Sequence, residues 1–381
     1  MAGIAIKPKL LFLITEDWYF WSHRLPVARA ARAQGFDVVI ATHVRDHGEL
    51  IRREGFKLIP IRLRRKSKNP LQELLSLMEL IRIYRRERPH IVHHVAMKPV
   101  LYGSISARLA GIPSIVNALA GLGYVFLSTE RLAVLLCSLI KPLLRIMLDI
   151  PGGILILQNP DDCALFVEKG LSKKDQIIMI RGSGVDTEQF TSRPEREGIP
   201  VVMLASRMLW DKGVGEFVHA AKDLRARDIR ARFVLVGRTD TDNPASIPVP
   251  ILKEWRDSGV IEWWGNREDM PEVLSQAHIV VLPSYREGLP KVLLEAAACG
   301  RPLVATDVPG CREIVRNGDN GFLVPLRDAG ALADSLLRLI ADRDLRKRMG
   351  ARGRQLVLEN FSEEMVVSAT MAVYRQSLSH S

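Results

Sequence analysis

Short apolar runs of strand length alternate with longer helical patterns along this chain. The alternation breaks off once, near residue 190, and then starts afresh. In the first half the strand-like runs are 10–15, 37–42, 57–62, 90–95, 114–119, 154–158 and 176–181, with helical patterns at 24–34, 71–88, 100–110 and 131–148 between them. A polar stretch, Arg193-Pro-Glu-Arg-Glu-Gly-Ile-Pro200, follows. Strand-like runs then resume at 201–206, 232–237, 260–265, 279–284 and 302–306. Continuous apolar strands separated by helices are the mark of parallel sheets buried on both faces. The expectation is therefore two doubly wound α/β domains in tandem, with a cleft facing the carboxyl ends of both sheets. The 381 residues suffice for two hydrophobic cores. We expect domains at 1–190 and 191–361, and a last segment, 362–381, holding a helix capped by Ser362 with Glu363 and Glu364 in its first turn.

The net charge of +11 is lopsided: +10 falls in residues 1–190 and +1 in 191–381. Much of it lies in 52–88, including Arg62-Leu-Arg-Arg-Lys-Ser-Lys68 and Arg82-Ile-Tyr-Arg-Arg-Glu-Arg88. Such a patch suits an anionic membrane surface, a nucleic acid or a polyphosphate substrate, or is simply a solvated Arg-rich helix face. No nucleic-acid recognition motif accompanies it, so nucleic acid is not expected as a partner. The most apolar segment, 132–148, is interrupted by Lys141, Pro142 and Arg145. It falls short of the roughly 20 uninterrupted apolar residues a membrane span requires. It reads as a buried helix or as one lying partly in the membrane interface, which makes the expected protein peripheral rather than integral. The four cysteines, Cys137, Cys163, Cys299 and Cys311, form no CxxC pair, which argues against a disulfide framework or a cysteine-pair zinc site. The apolar run 10–14 is too short for a signal-peptide core, so a cytoplasmic location is expected.

Three loops of the second half follow strand ends. In Ser206-Arg-Met-Leu-Trp-Asp-Lys-Gly213, Arg207 and Lys212 stand five residues apart in a loop that opens a helix. Two cations at a helix N-terminus form a site for a diphosphate. In Pro283-Ser-Tyr-Arg-Glu-Gly-Leu-Pro-Lys-Val-Leu-Leu-Glu295, Pro290 and Lys291 mark a helix start, and the backbone of Gly288 and Leu289 is placed to face an anion. Glu287 precedes that helix and Glu295 sits in its second turn. A carboxylate accepts hydrogen bonds from neighbouring sugar hydroxyls, whereas the plainer reading of each is a helix-start charge or a solvated residue. The third loop, Thr306-Asp-Val-Pro-Gly-Cys-Arg-Glu-Ile314, reads as a further anion loop or as an ordinary strand–turn–helix junction.

These three segments, with Gly182-Ser-Gly-Val-Asp-Thr-Glu-Gln-Phe190 before them, resemble family 4 of the retaining, nucleotide-sugar-dependent glycosyltransferases. The resemblance implies the GT-B architecture: two Rossmann-like domains facing a central cleft, no metal requirement, and a final helix crossing back to the first domain. It further implies that Arg207 and Lys212 hold the donor diphosphate, with Glu295 on the ribose and Glu287 on the transferred sugar. Gly288, Leu289 and Pro290 would form the donor-phosphate turn. Charge on a departing nucleoside diphosphate would then be stabilised by two cations and a helix N-terminus, where a metal acts in other enzymes. Two positions depart from the family pattern. The stretch Asn117-Ala-Leu-Ala-Gly-Leu-Gly123 lacks the histidine many members carry there, and Ser206 replaces the usual Gly.

In the first half, the loop after the first strand carries Trp18, Tyr19, Phe20 and Trp21, then His23 and Arg24. Aromatic rings there suit sugar faces or a membrane interface. His93-His94-Val-Ala-Met-Lys98 ends another strand. The histidines read either as a strand end with one ring buried or, with His23, Arg24, Lys98 and Asn117, as an acceptor site. The Trp-Tyr-Phe…Ser-His-Arg-Leu-Pro and Gly-Leu-Gly-Tyr-Val-Phe126 segments resemble a subgroup that builds bacterial surface polysaccharide, such as lipopolysaccharide O-antigen or exopolysaccharide, on undecaprenyl diphosphate. The resemblance implies transfer of a hexose or N-acetylhexosamine from a UDP-sugar to a polyprenyl-diphosphate-linked saccharide at the inner face of the cytoplasmic membrane. Front-side displacement is the expected mechanism, with Glu16 and Asp17 the open candidates for a nucleophile. Alternatives are a nucleotide-sugar epimerase on the same fold or a non-catalytic nucleotide-sugar-binding protein at the membrane surface. An epimerised free sugar from donor plus water would mark the first. A scaffold would not need Arg207, Lys212, Glu287 and Glu295 together.

Overall fold

A computed structural model describes residues 7–64, 69–119, 142, 144–150, 152–241 and 243–379. The chain divides into two compact units, one of residues 1–183 with 366–381, the other of residues 184–365.

The first unit is built on a seven-stranded sheet of β1 (Lys9–Ile14), β2 (Asp37–Thr42), β3 (Lys57–Pro60), β4 (Ile91–Val95), β5 (Ser114–Ala118), β6 (Ile154–Leu157) and β7 (Ile177–Met179). Every pairing is parallel and the spatial order is β3-β2-β1-β4-β5-β6-β7. The central strands are buried on both faces, which is why β1 is an almost unbroken apolar run, while β4 and β5 also bury His93, His94, Ser114 and Asn117. The second unit has β8 (Val201–Ala205), β9 (Arg232–Val236), β10 (Glu262–Trp263), β11 (Ile279–Leu282), β12 (Leu303–Thr306) and β13 (Gly321–Val324), all parallel, in the order β10-β9-β8-β11-β12-β13. Each sheet is doubly wound and reverses direction beside its first strand, between β1 and β4 and between β8 and β11. Ligands bind such sheets at the carboxyl ends of the strands flanking that reversal.

Three elements differ from the sequence reading. The short run of β13 carries no strand signal because it opens on Gly321. A side chain there would put its Cβ 2.1 Å from the Leu303 carbonyl oxygen, so close strand approach requires the glycine. The aromatic segment after β1 is not a loop but helix α1 (Asp17–His23), succeeded directly by α2 (Leu25–Ala33). Its residues follow a helical rather than a loop logic: Phe20 is buried against the sheet while Trp18, Tyr19 and Trp21 are half-buried. Lastly, Pro290 is the N-cap of its helix rather than a helical residue, and the helix begins at Lys291. The interfacial reading of 132–148 and the Tyr124–Phe126 motif fall mostly outside the described residues, as do residues 65–68 of the basic run. No helix among the described residues is long and apolar enough to cross a membrane.

The helix Glu363–Ser379 packs into the first unit. Ser362 accepts a hydrogen bond from the Met365 amide at 3.4 Å. Val366, Met371, Val373 and Tyr374 join Phe12, Phe20 and Phe36 in one apolar cluster.

Candidate active site

In the second unit the loops after β8, β9, β11 and β12 interlock. Gly213, with φ +71°, stands where a Cβ would lie 2.0 Å from the Pro283 carbonyl oxygen. Only glycine permits that approach at that backbone angle. The Asp211 carbonyl accepts hydrogen bonds from the Tyr285 amide at 2.9 Å and the Ser284 hydroxyl at 3.2 Å. Tyr285 in turn donates its phenol to Glu216 at 2.6 Å, and the guanidinium of Arg327 lies 4.7 Å from the centre of its ring. The Thr306 hydroxyl reaches the Ser284 carbonyl, which ties the β12 loop to the same group.

Within this frame Lys212 forms an ion pair with Glu287. Arg207 does not join them through a shared partner. It donates from Nη1 to Oδ2 of Asp240 at 2.6 Å. Asp240 lies in the loop after β9, a residue sequence reasoning did not single out; the one available signal was its place just past a strand end. Glu295 sits in the helix Lys291–Ala298, 8 % exposed, with Lys291 Nζ at 3.6 Å. Burial pushes its carboxyl above the ordinary range, against the opposing pull of Lys291. Leu289 is buried at the turn before this helix, and the Gly288 carbonyl packs against Gly310.

The acceptor residues expected in the first unit do not form one group. Successive side chains of a strand point to opposite faces, so His93 and His94 part company. His94 is fully buried: Nδ1 donates to Asn117 Oδ1 at 2.8 Å, and the Tyr84 hydroxyl donates to Nε2 at 3.0 Å. The Ser104 hydroxyl also donates to Asn117 Oδ1, at 3.2 Å. Burial lowers the pKa of His94 to about 4, so the ring is neutral. His94 and Asn117 thus hold each other and their neighbours inside the sheet layer. Lys98 is paired with Glu73 at 2.7 Å and donates to the Arg64 carbonyl at 2.7 Å. His23 stacks on Tyr19 with ring centres 4.2 Å apart and lies 2.6 Å from the Ser22 hydroxyl. His93 turns to the other face, where Nδ1 meets the Tyr374 hydroxyl at 2.5 Å, and the buried Arg24 is near enough for its charge to act on the ring. Of the two carboxylates considered as nucleophiles, Asp17 is fully buried and accepts the amides of Trp18, Arg45 and His47. Glu16 lies 3.6 Å from Arg45. Asp17 therefore fastens the β1 and β2 loops together rather than facing a reacting atom. No cluster of three metal-ligating side chains occurs among the described residues.

Two parallel doubly wound sheets in one chain, with charged loops at the reversal point of the second, are the GT-B fold. The family models agree on both units: residues 9–155 match that of "Glycosyl transferase 4-like" and residues 199–342 that of "Glycosyl transferases group 1". The chain belongs to the family-4 glycosyltransferases and is an enzyme of that class. It is 27% identical over 376 residues to the N,N'-diacetylbacillosaminyl-diphospho-undecaprenol alpha-1,3-N-acetylgalactosaminyltransferase of Campylobacter jejuni, covering 95% of this chain and 97% of that one. It is 27% identical over 288 residues, 72% of each chain, to the UDP-Gal:alpha-D-GlcNAc-diphosphoundecaprenol alpha-1,3-galactosyltransferase of Escherichia coli. The crystal structure of Anabaena HepE in complex with UDP and glucose has the same fold, with a TM-score of 0.77, 16% identity and coverage of 97% of this chain and 99% of that one.

Proposed function

We propose that the protein transfers a hexose or N-acetylhexosamine, with retention, from a UDP-sugar to a polyprenyl-diphosphate-linked saccharide in bacterial surface polysaccharide synthesis. The observation that carries the donor half is the set of charged groups at the reversal point of the second sheet: Arg207 on Asp240, Lys212 on Glu287, and buried Glu295 one helix turn beyond Lys291. Each cation is held by a carboxylate that a diphosphate is able to replace. Arg207 and Lys212 then neutralise the charge that builds on the leaving nucleoside diphosphate. Glu295, in a helix that starts at the same loop, accepts the ribose hydroxyls, and Glu287, released from Lys212, faces the transferred sugar. The leaving phosphate oxygen takes the acceptor proton, so the reaction proceeds on one face without a protein nucleophile. The names of the two relatives support the acceptor, since both carry a diphosphoundecaprenol-linked sugar.

The first unit faces that acceptor at the cytoplasmic side of the membrane. A shallow groove there is lined by Ile59, Pro60, Arg62, Leu75, Glu79, Arg82, Ile83 and Arg86, and the neighbouring Leu71 and Leu74 are 65 % and 53 % exposed. Arginines beside exposed leucines suit an anionic lipid surface.

The test is a transfer assay with a synthetic polyprenyl-diphosphate-linked sugar and UDP-, GDP- and ADP-sugars. Turnover is expected with a UDP donor, and Arg207→Ala and Glu295→Ala are each expected to lower it at least a hundredfold with the fold intact by circular dichroism. Unchanged turnover in both variants refutes the donor assignment.

A further inference from the structure

The side chain of Arg24 is an anomaly of charge. It belongs to the residue between α1 and α2, is 4 % exposed, and among the described residues no carboxylate or other acceptor is hydrogen-bonded to its guanidinium. Its Nε is buried without a partner. A buried charge left unpaired destabilises a fold far more than a paired one, so such a group persists where something else supplies the counter-charge. Within electrostatic reach of Arg24, His93 is 1 % exposed and its Nε2 is likewise buried without a partner. Burial, then the Arg24 charge, hold its pKa well below the usual value, so the ring is neutral. Its Nδ1 lies 2.5 Å from the Tyr374 hydroxyl. If Nδ1 donated, the phenol proton would have no acceptor and Nε2 no donor, leaving two groups unmatched. If the phenol donates to Nδ1, the proton resides on Nε2 and one group is unmatched. The second arrangement makes both orphaned groups, Arg24 Nε and His93 Nε2, hydrogen-bond donors beside a fixed positive charge.

We propose that Arg24 is the seat of a phosphate group of the acceptor, with His93 as a second donor and Tyr374 as the residue that sets the His93 tautomer. This rests on the acceptor reading given above, and it adds Tyr374, which lies on the helix Glu363–Ser379 and outside the sequence motifs of that reading. A phosphate offers the several lone pairs and the negative charge that two unmatched donors and an unpaired guanidinium call for.

The full-length protein tests this with inorganic pyrophosphate as probe, titrated calorimetrically in an Arg207→Gln background so that the second unit's arginine does not contribute. Adding Arg24→Met is expected to weaken pyrophosphate binding at least tenfold, and Tyr374→Phe to weaken it several-fold. Without ligand, Arg24→Met alone is expected to melt higher than the wild type, because an unpaired buried charge has gone. Identical pyrophosphate titrations with and without Arg24→Met overturn the proposal, as does a lower melting temperature in the ligand-free Arg24→Met protein. Vesicle flotation separates the phosphate sources. Arg24→Met should reduce binding to vesicles carrying a polyprenyl diphosphate sugar and leave binding to phosphatidylglycerol vesicles unchanged; equal loss on both overturns the acceptor assignment. The donor reading fails separately, if Arg207→Gln binds UDP as the wild type does.

Discussion

Replacing Asp240 with Asn should make the protein bind UDP more tightly. Arg207 is neutralised by Asp240 at 2.6 Å, so at the proposed donor site a diphosphate must displace a carboxylate before it gains the guanidinium. Two unit charges ~4 Å apart attract by about 4 kcal/mol at the effective dielectric of a protein surface. The pair is part-exposed, with side chains 31 % and 20 % accessible. Screening, and the hydrogen bond that an asparagine oxygen still accepts, reduce the difference to about 1.4 kcal/mol. That corresponds to a roughly tenfold lower Kd for UDP. The backbone of the loop does not depend on the carboxylate, because the Asp240 amide donates to the Ser246 hydroxyl at 3.2 Å and its carbonyl accepts from Asn243 at 2.7 Å. Isothermal titration with UDP at two salt concentrations is the assay, and the gain should shrink at higher salt. A Kd that is unchanged or raised would refute the view that Asp240 occupies the place of a donor phosphate oxygen.

Gly237→Ala should destabilise the second unit by at least ~3 kcal/mol in urea unfolding, since φ is +139° and the new Cβ would sit 1.8 Å from the Ser206 carbonyl oxygen. Glu295→Gln should melt above the wild type at pH 7.5. The raised carboxyl pKa means that Glu295 favours the folded state below its ordinary value of 4.5 and loses that contribution as pH rises, so the gap should close toward pH 4.5. Arg346→Ala should cost about 2–3 kcal/mol, because it takes from the Glu195 side chain its nearest cation, at 2.7 Å, leaving the more distant Arg343 and His278, and frees the carbonyls of 339 and 340. Urea midpoints no lower than wild type would remove the case for that pair.

Much of the architecture could be read from residue order because strands buried on both faces write themselves as unbroken apolar runs. That rule reached all seven strands of the first sheet and failed at β13, where a glycine required by close packing removes the signal. The charged loops of the second unit were legible because glycines, a proline and charged residues stand at strand ends. The surroundings of the two histidines were not. The period-2 rule already placed His93 and His94 on opposite faces, yet only the fold shows that one meets Tyr374, 281 residues away, while the other meets Tyr84 and Asn117. The Arg207–Asp240 pair was invisible for a related reason. It joins loops of neighbouring strands 33 residues apart, and no local pattern encodes sheet order.

The placement of Tyr374 bears on how the protein is made. Phe12, Phe20 and Phe36 emerge from the ribosome hundreds of residues before the helix that covers them. During synthesis the first unit must wait with part of its apolar face open while the whole of the second is translated. The native state of the earlier unit is thus conditional on completing the later one, and a transcript truncated after residue 361 should yield a product that engages chaperones rather than half an enzyme.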